Sequence, residues 1–334
     1  MRRVWKALSV PYRAATSFRN CLYDNHILAC EGVRIPVYCV GNIAAGGSGK
    51  TPLVQHIVRM LSQMGENPTV LLRGYGGKEI GPAQVSDSSS SSAVGDEALL
   101  HAVNLSVPVV VARDRVAGAR YIEEQKLGSC VVLDDGFQHR RLKRDLNVIT
   151  IDTRSELIRN NFLHDELLPF GFLREPLQEA LARTDFLVFN HRGPRLPDGV
   201  LQPFMKTFPA HIPAAEMWYE SGEVRRGERV LTAPHDVVAV SGIARPQGFR
   251  DLLDSLGFKV VFHQQFPDHS QFDSKILARL RKEYSDLPFV CSEKDFVRME
   301  QREHTLWWRL VPNATVTHEN ELRALIRSAH RRDG

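Results

Sequence analysis

Short apolar runs alternate along the chain with longer stretches whose apolar positions recur every three or four residues. The short runs, rich in Val, Ile, Leu and Phe, predict strands at 36–40, 69–72, 109–111, 131–133, 148–151 and 186–189. The longer ones predict helices at 53–64, 114–125 and 177–182. Strands that alternate with helices are joined by crossovers. The pattern therefore specifies a mostly parallel sheet flanked by helices, with right-handed connections. Residues 81–93 interrupt it as a loop, and the serines at 88–92 are too polar to pack.

Between about 210 and 232 the texture changes to Gly-, Glu- and Arg-rich sequence with short β-like pieces. Alternation then resumes, with strands predicted at 237–240, 260–262, 289–291 and 306–311 and helices at 247–256, 274–283 and 320–329. This reads as a second, smaller α/β domain. The expected organisation is an N-terminal segment 1–30, a larger domain 31–215 and a smaller domain 216–334, with no internal repeat.

Composition narrows the function. At 334 residues, 43% hydrophobic and 25% charged, the chain is ordinary for a soluble globular protein. A net charge of +4, without a long basic block or basic–aromatic ladder, argues against nucleic acid as a partner. Cys21, Cys30, Cys39, Cys130 and Cys291 are scattered with no CxxC pair, which predicts packed free thiols and no zinc site. No apolar run is long enough to cross a bilayer.

The N-terminus is basic, since Arg2, Arg3, Lys6, Arg13 and Arg19 precede the first acid, Asp24. Pro11, Arg13 and Arg19 break its apolar stretches, so it makes a poor signal peptide. Trp5, Leu8, Val10, Tyr12, Phe18, Leu22 and Tyr23 interleave with the cations. That pattern suits a helix lying on an anionic leaflet, and equally an amphipathic helix packed on its own domain.

The chemistry is concentrated in a few runs. Val40-Gly41-Asn42-Ile43-Ala44-Ala45-Gly46-Gly47-Ser48-Gly49-Lys50-Thr51-Pro52 stands between a predicted strand and a predicted helix, the context of a Walker A loop. Glycines there let backbone N–H groups face phosphate oxygens, and the helix N-terminus adds its dipole. Lys50 would neutralise the β- and γ-phosphates of ATP, and the Thr51 hydroxyl would bind Mg²⁺. Pro52 is tolerated in a first helical turn, where its missing N–H breaks no bond. One position departs from the strict pattern: Ala44 stands in place of the first glycine.

Val131-Val132-Leu133-Asp134-Asp135-Gly136 is an apolar strand ending in acids, the form of a Walker B element or of a simple turn. Gly95-Asp96-Glu97 offers adjacent carboxylates for a metal, a general base or a solvated helix cap. Asp268-His269 lies in a polar turn, where a lone histidine is usually inert. Arg73-Gly74-Tyr75-Gly76-Gly77 and Arg113-Asp114-Arg115 read either as phosphate-binding guanidiniums on flexible backbone or as an ordinary turn and surface charges.

Together these runs resemble one family, the tetraacyldisaccharide 4′-kinases (lipid A 4′-kinases) of lipopolysaccharide biosynthesis. The matching stretches are VGNIAAGGSGKTP (40–52), RGYGG (73–77), VGDEALL (94–100), LDDGFQHRRLKRDL (133–146), LLPFGFLREPL (167–177), SGIARPQGF (241–249), FPDHSQF (266–272) and SEKDFVRM (292–299). They cover most of the chain in order, and Ala44 is itself typical of the family's loop. The resemblance implies a P-loop NTPase-like α/β fold with a second, smaller α/β domain and the active site between the two. It implies ATP- and Mg²⁺-dependent phosphorylation of the 4′-hydroxyl of a tetraacylated glucosamine disaccharide 1-phosphate to lipid IVA. It also implies peripheral attachment to the cytoplasmic face of the bacterial inner membrane, which makes the basic N-terminus a contact with an anionic membrane surface. No obligate protein partner is evident.

Carried over by motif, Ala44, Ala45, Gly46, Gly47, Ser48, Gly49, Lys50, Thr51 and Pro52 hold ATP, and Thr51, Glu97 and Asp134 hold the metal. Asp96 is the general base and His269 its partner from the second domain, with Asp135 supporting the cluster. Arg73, Tyr75, Arg113, Arg115, Gln138, Arg174, Glu175 and Asn190 are neighbouring motif residues that contact substrate or brace those that do. An aspartate with a pKa of about 3.9 is a weak base in water, so a histidine partner and a closed site suit the role. Two positions depart from the family, Leu72 for serine and Ser270 for a second histidine. A ParA/MinD-like switch ATPase would share the loop, but that class has lysine where this chain has Ala45. A kinase or ligase of a small water-soluble metabolite is the remaining rival.

Overall fold

The computed structural model describes residues 2–46, 49–86, 88–243, 246–268, 272–299 and 301–330, without the side chains of 2–4, 301–303 and 330. Its strands begin with β1 Val37–Gly41, β2 Pro68–Leu72, β3 Ala83–Gln84, β4 Val109–Val111, β5 Cys130–Asp134, β6 Leu146–Asp152 and β7 Phe186–Asn190. They continue with β8 Ala214–Arg226, β9 Arg229–Leu231, β10 Asp236–Ser241, β11 Lys259–Gln265, β12 Phe289–Ser292 and β13 Trp308–Val316. All join one sheet, ordered β11-β10-β12-β13-β8-β7-β6-β1-β5-β2-β4-β3, with β9 paired to β8. The β3–β4, β8–β13 and β8–β9 pairs are antiparallel and the others parallel.

Strand β1 lies between β5 and β6 with every residue buried. Its alternate side chains enter different cores. Tyr38 and Val40 join Val70, Leu72, Val132 and Val148 on one face, and Val37 and Cys39 join Leu71, Val131, Leu133 and Ile149 on the other. Leu53, Val54 and Ile57 of helix Lys50–Gln63 and Leu322 and Ile326 of helix Glu319–His330 cover the first face. Val116, Ala119 and Ile122 of helix Arg115–Glu124 cover the second. With both faces covered, a strand reads as an unbroken apolar run, which is why these strands are legible. Around β10 to β13, one core gathers Val238, Val240, Phe289 and Trp307, and another Val237, Ala239, Val290 and Leu310.

The boundary expected near 215 falls at the start of β8. That strand pairs with β7 over 214–217 and with β13 over 217–225, so one sheet runs through both halves. The 210–232 stretch is thus largely a 13-residue strand and its short partner β9. Glu220, Ser221 and Gly222 lie on a ribbon partly open to water, which hides the strand from an apolar-run criterion. Helices Asp96–Asn104, Glu156–Leu163, Asp198–Met205 and Glu293–Arg298 also escape the pattern. Within the expected loop 81–93 lie β3 and a helical turn at Ser91–Val94.

The N-terminal residues form helix Arg2–Asp24. One face docks on the body: Ser9 Oγ donates to Leu167 O (3.0 Å), Tyr12 OH to Arg174 O (2.9 Å), and Asn20 Nδ2 to Glu179 (2.8 Å). Arg13 pairs with Asp165 at 2.7 Å. Tyr12 and Arg13 therefore face the protein, unlike the outward Leu8 and Phe18. All five cysteines are free thiols, but only Cys39, Cys130 and Cys291 are buried. Cys21 and Cys30 are exposed, contrary to the packing expected of them, because they lie on the outer side of this helix and the segment after it.

Candidate active site

The loop after β1 is shaped by what packs against it. A Cβ at Gly41 would lie 2.5 Å from Phe137 Cβ, so only glycine lets the turn after β5 close on β1. Ala44 bridges to Leu173, and Ala45 N donates to Phe172 O at 2.7 Å. The run 167–177 thus pins the loop at the position where the strict Walker A pattern has its first glycine and this chain has Ala44. Gly46 and Gly49 have φ of 100° and 75°. Gly49 precedes helix Lys50–Gln63, and Asn190, at the end of β7, donates to Gly49 O at 3.4 Å. Thr51 is buried in the first turn, with Pro52 beside it. Gly47 and Ser48 lie outside the described residues.

Acidic side chains converge on this loop from three elements. Register sets Asp134 opposite Val40 at the end of β5. It is buried and hydrogen-bonded through Oδ2 to His101 Nε2 at 2.9 Å, while its Oδ1 is buried with no partner among the described residues. Asp135 follows at φ 53° and lies 3.4 Å from Lys50 Nζ and 3.3 Å from Arg174 Nη1. Lys50 Nζ is also 3.4 Å from Asn42 Oδ1. Gln138 donates to Asn42 O (2.9 Å) and Glu175 Oε1 (3.2 Å), and accepts from Arg174 (3.2 Å). Glu175 is fully buried and paired with Arg183 and Asn20.

The third element is helix Asp96–Asn104. Gly95, at φ 89°, turns the chain into it, and a Cβ there would meet Tyr75 O at 2.4 Å. A Cβ at Gly77 would meet Ala93 O at 2.5 Å and one at Gly74 would meet Val94 O at 3.0 Å, so these two glycines of the RGYGG run pack backbone to backbone on the GDE turn. Burial, then the charge of Asp134, pushes the Glu97 carboxyl above its ordinary range, while Lys294 and Lys50 oppose the shift. Asp96 accepts from Ser91 Oγ and, at 2.6 Å, from Arg298 Nε.

Other sequence-derived candidates sit further out. Tyr75 is 80% exposed, and Arg73 and Arg113 are exposed too. Arg115 is buried, with Nη1 donating to Arg113 O at 2.8 Å. Burial, then the charge of Arg73, lowers its pKa, and Asp135 opposes both. His269 and Ser270 lie outside the described residues. Neighbouring Asp268 is close enough to raise the pKa of Asp295, behind burial as the main cause. His101, Lys294 and Arg298 were not singled out by sequence. Each carried a local signal: Lys294 and Arg298 lie inside the SEKDFVRM stretch, and His101 stands four residues after Glu97 and so on the same helix face.

Comparison with known proteins identifies the family. The family model described as LpxK, tetraacyldisaccharide-1-P 4′-kinase, matches residues 1–331. A tetraacyldisaccharide 4′-kinase of Shewanella sp. is 33% identical over 320 residues, 96% of this chain and 89% of that one. Another, of Rhodopseudomonas palustris, is 39% identical over 288 residues, 84% and 79% of the two chains. A crystal structure of LpxK from Aquifex aeolicus in complex with ATP superposes with TM-score 0.78 at 30% identity, covering 98% of this chain and 99% of that one. The match takes in the N-terminal helix and both halves of the sheet, and decides for the kinases over the switch ATPases. The chain belongs to the tetraacyldisaccharide-1-P 4′-kinase family.

Proposed function

We propose that the chain transfers the γ-phosphoryl group of ATP to the 4′-hydroxyl of a tetraacyldisaccharide 1-phosphate, giving lipid IVA for lipid A biosynthesis. The observation that carries this reading is the convergence of Asp134, Asp135 and helix Asp96–Asn104 on the loop bearing Lys50, in a chain matched by the kinase family over 1–331. Residues 31–215 act as the ATP-holding unit and 216–334 as the smaller one, with β8 shared between them.

Each side chain has a role in that reaction. The 42–51 loop and its helix N-terminus present backbone N–H groups to the phosphates, and Lys50 offsets their charge. Asp96 takes the proton of the attacking sugar hydroxyl. His269 partners it, and the proximity of the preceding residue, Asp268, to Asp295, which Arg298 joins to Asp96, supports that role. Asp135, Gln138 and Arg174 hold Lys50 and the loop in register. Thr51, Glu97 and Asp134 fit a divalent cation: one oxygen of Asp134 is buried without a partner among the described residues, and Glu97 is crowded by the Asp134 charge. Mg²⁺ held there would neutralise phosphate oxygens during transfer.

Peripheral attachment to the cytoplasmic face of the inner membrane is supported by the outward side of the N-terminal helix. Leu8, Val10 and Phe18 are exposed there, and Trp5 and Lys6 are exposed near the start of the helix. Among the described residues, no helix is long and apolar enough to cross a membrane.

The test is a transfer assay with γ-labelled ATP, Mg²⁺ and the disaccharide 1-phosphate in detergent. Label should appear on the glycolipid. Release only as inorganic phosphate, or transfer to a water-soluble sugar instead, would overturn the assignment.

A further inference from the structure

Helix Asp96–Asn104 lies in the first half of the sequence but is held from both halves. Its Ala98 enters the core beneath the ATP loop, while Leu100 enters the core built by Val238, Val240, Leu277 and Phe289. Polar contacts reinforce the second attachment through helix Glu293–Arg298. Asn104 donates to Glu293 at 2.5 Å, Glu97 lies 3.8 Å from Lys294, and Asp96 accepts from Arg298 at 2.6 Å.

Arg298 stands at the active-site end of this seam. Its Nη1 donates to Gly242 O at 2.9 Å and to Asp295 Oδ1 at 3.3 Å, and its Nε donates to Asp96 Oδ2. Asp295 is itself fixed by Ser292 Oγ at 2.6 Å and by Gly242 N at 3.1 Å. The guanidinium side chain is 10% exposed and that of Asp96 21%, so little water competes for the bond. A planar fork seated this way has few other orientations. Ser91 Oγ holds the other carboxylate oxygen. Gripped at both oxygens, the carboxylate cannot turn freely.

We propose that Arg298 is a positioning residue for Asp96: through this guanidinium the second half of the chain fixes the direction of the base. Asp96 is then aimed at the sugar hydroxyl only while the two halves meet at the 96–104 and 293–298 helices. This role rests on Asp96 being the base, so the experiment separates the two.

Steady-state transfer and ATP binding are measured for Asp96→Asn, Arg298→Met, Arg298→Lys and the Asp96→Asn/Arg298→Met double variant. Arg298→Met should lower kcat by about 100-fold, the scale of a misplaced catalytic group, with ATP affinity and KM for ATP unchanged. Arg298→Lys, which keeps the charge, should recover part of the loss. In the Asp96→Asn background, Arg298→Met should cost nothing further, since the carboxylate it acts through is gone. A merely structural arginine would produce the same loss in both backgrounds, and that result would overturn the proposal. So would an unchanged kcat in Arg298→Met. Full activity of Asp96→Asn would instead remove the base assignment. If Arg298→Met does not fold, Arg298→Lys carries the same comparison, with a loss expected in the wild-type background and none beside Asp96→Asn.

Discussion

His101 Nε2 lies 2.9 Å from Asp134 Oδ2, and both side chains are buried. An ionised carboxylate can only accept, so the imidazole donates from Nε2. His101 stands one turn after Glu97 on the same helix, which therefore presents a carboxylate and its neighbour's brace to the end of β5. The brace leaves Asp134 Oδ1 as the oxygen without a partner among the described residues. His101→Leu is expected to weaken Mg²⁺ about 10–100-fold, the usual effect of losing a group that orients a metal-binding carboxylate. A Mn²⁺ titration followed by EPR, with and without ATP, checks this directly. Metal-free ATP binding should not change, and an unaltered Mn²⁺ affinity would contradict the prediction.

Gly49 combines a left-handed φ of 75° with a Cβ direction that ends 2.2 Å from Asn190 Nδ2. Gly49→Ala thus adds backbone strain of about 1–2 kcal/mol and displaces the amide that anchors the loop. ATP affinity should fall about tenfold or more, read by calorimetry. Adding Asn190→Ala makes room for the methyl group but leaves the dihedral strain. The double variant should therefore recover part of the affinity and never all of it.

These relationships also show what the sequence could and could not disclose. The ATP loop is legible because its chemistry is local: the glycines, Lys50 and Thr51 belong to one strand–turn–helix unit. Asp134 is legible because it ends an unbroken apolar strand buried on both faces. His101 and Arg298 take their roles from partners 33 and 202 residues away, and no spacing rule announces such pairs. Strand β8 is hidden for another reason. Its middle carries Glu220, Ser221 and Gly222, residues that a half-exposed antiparallel ribbon tolerates and an apolar-run criterion rejects. The N-terminal helix is readable as amphipathic, but composition does not say which side faces protein, since the carbonyl of Arg174 that takes the Tyr12 hydroxyl lies 162 residues away.

Burial pushes the Glu293 carboxyl up to about 7. Between the ordinary value near 4.3 and this one, the folded chain keeps a proton that the unfolded chain has released. Stability therefore falls as pH rises through that window, by at most ~4 kcal/mol. Glu293→Gln keeps the shape and an oxygen for the Asn104 amide, which donates at 2.5 Å, but does not titrate. Thermal melts should show the variant gaining on the wild type from about pH 5 to about pH 8, with the gap closing toward acid. A gap that is constant, or that widens toward acid, would contradict the assignment.

Membrane contact should depend on the outward apolar side chains of the N-terminal helix rather than on all of its cations. Arg13 is held by Asp165, and Asp165 also accepts from Leu177 N at 2.9 Å, so Arg13→Gln should loosen the docked face and lower Tm. Leu8 and Phe18 are 47% and 66% exposed and are free to insert among acyl chains. Removing each from lipid costs on the order of 1–2 kcal/mol. Leu8→Ser/Phe18→Ser should therefore reduce co-flotation with anionic phospholipid vesicles by about tenfold or more while leaving Tm unchanged. Activity on a detergent-dispersed glycolipid should survive, because neither side chain lines the ATP loop. Flotation equal to that of the wild type would mean that this face is not what meets the bilayer.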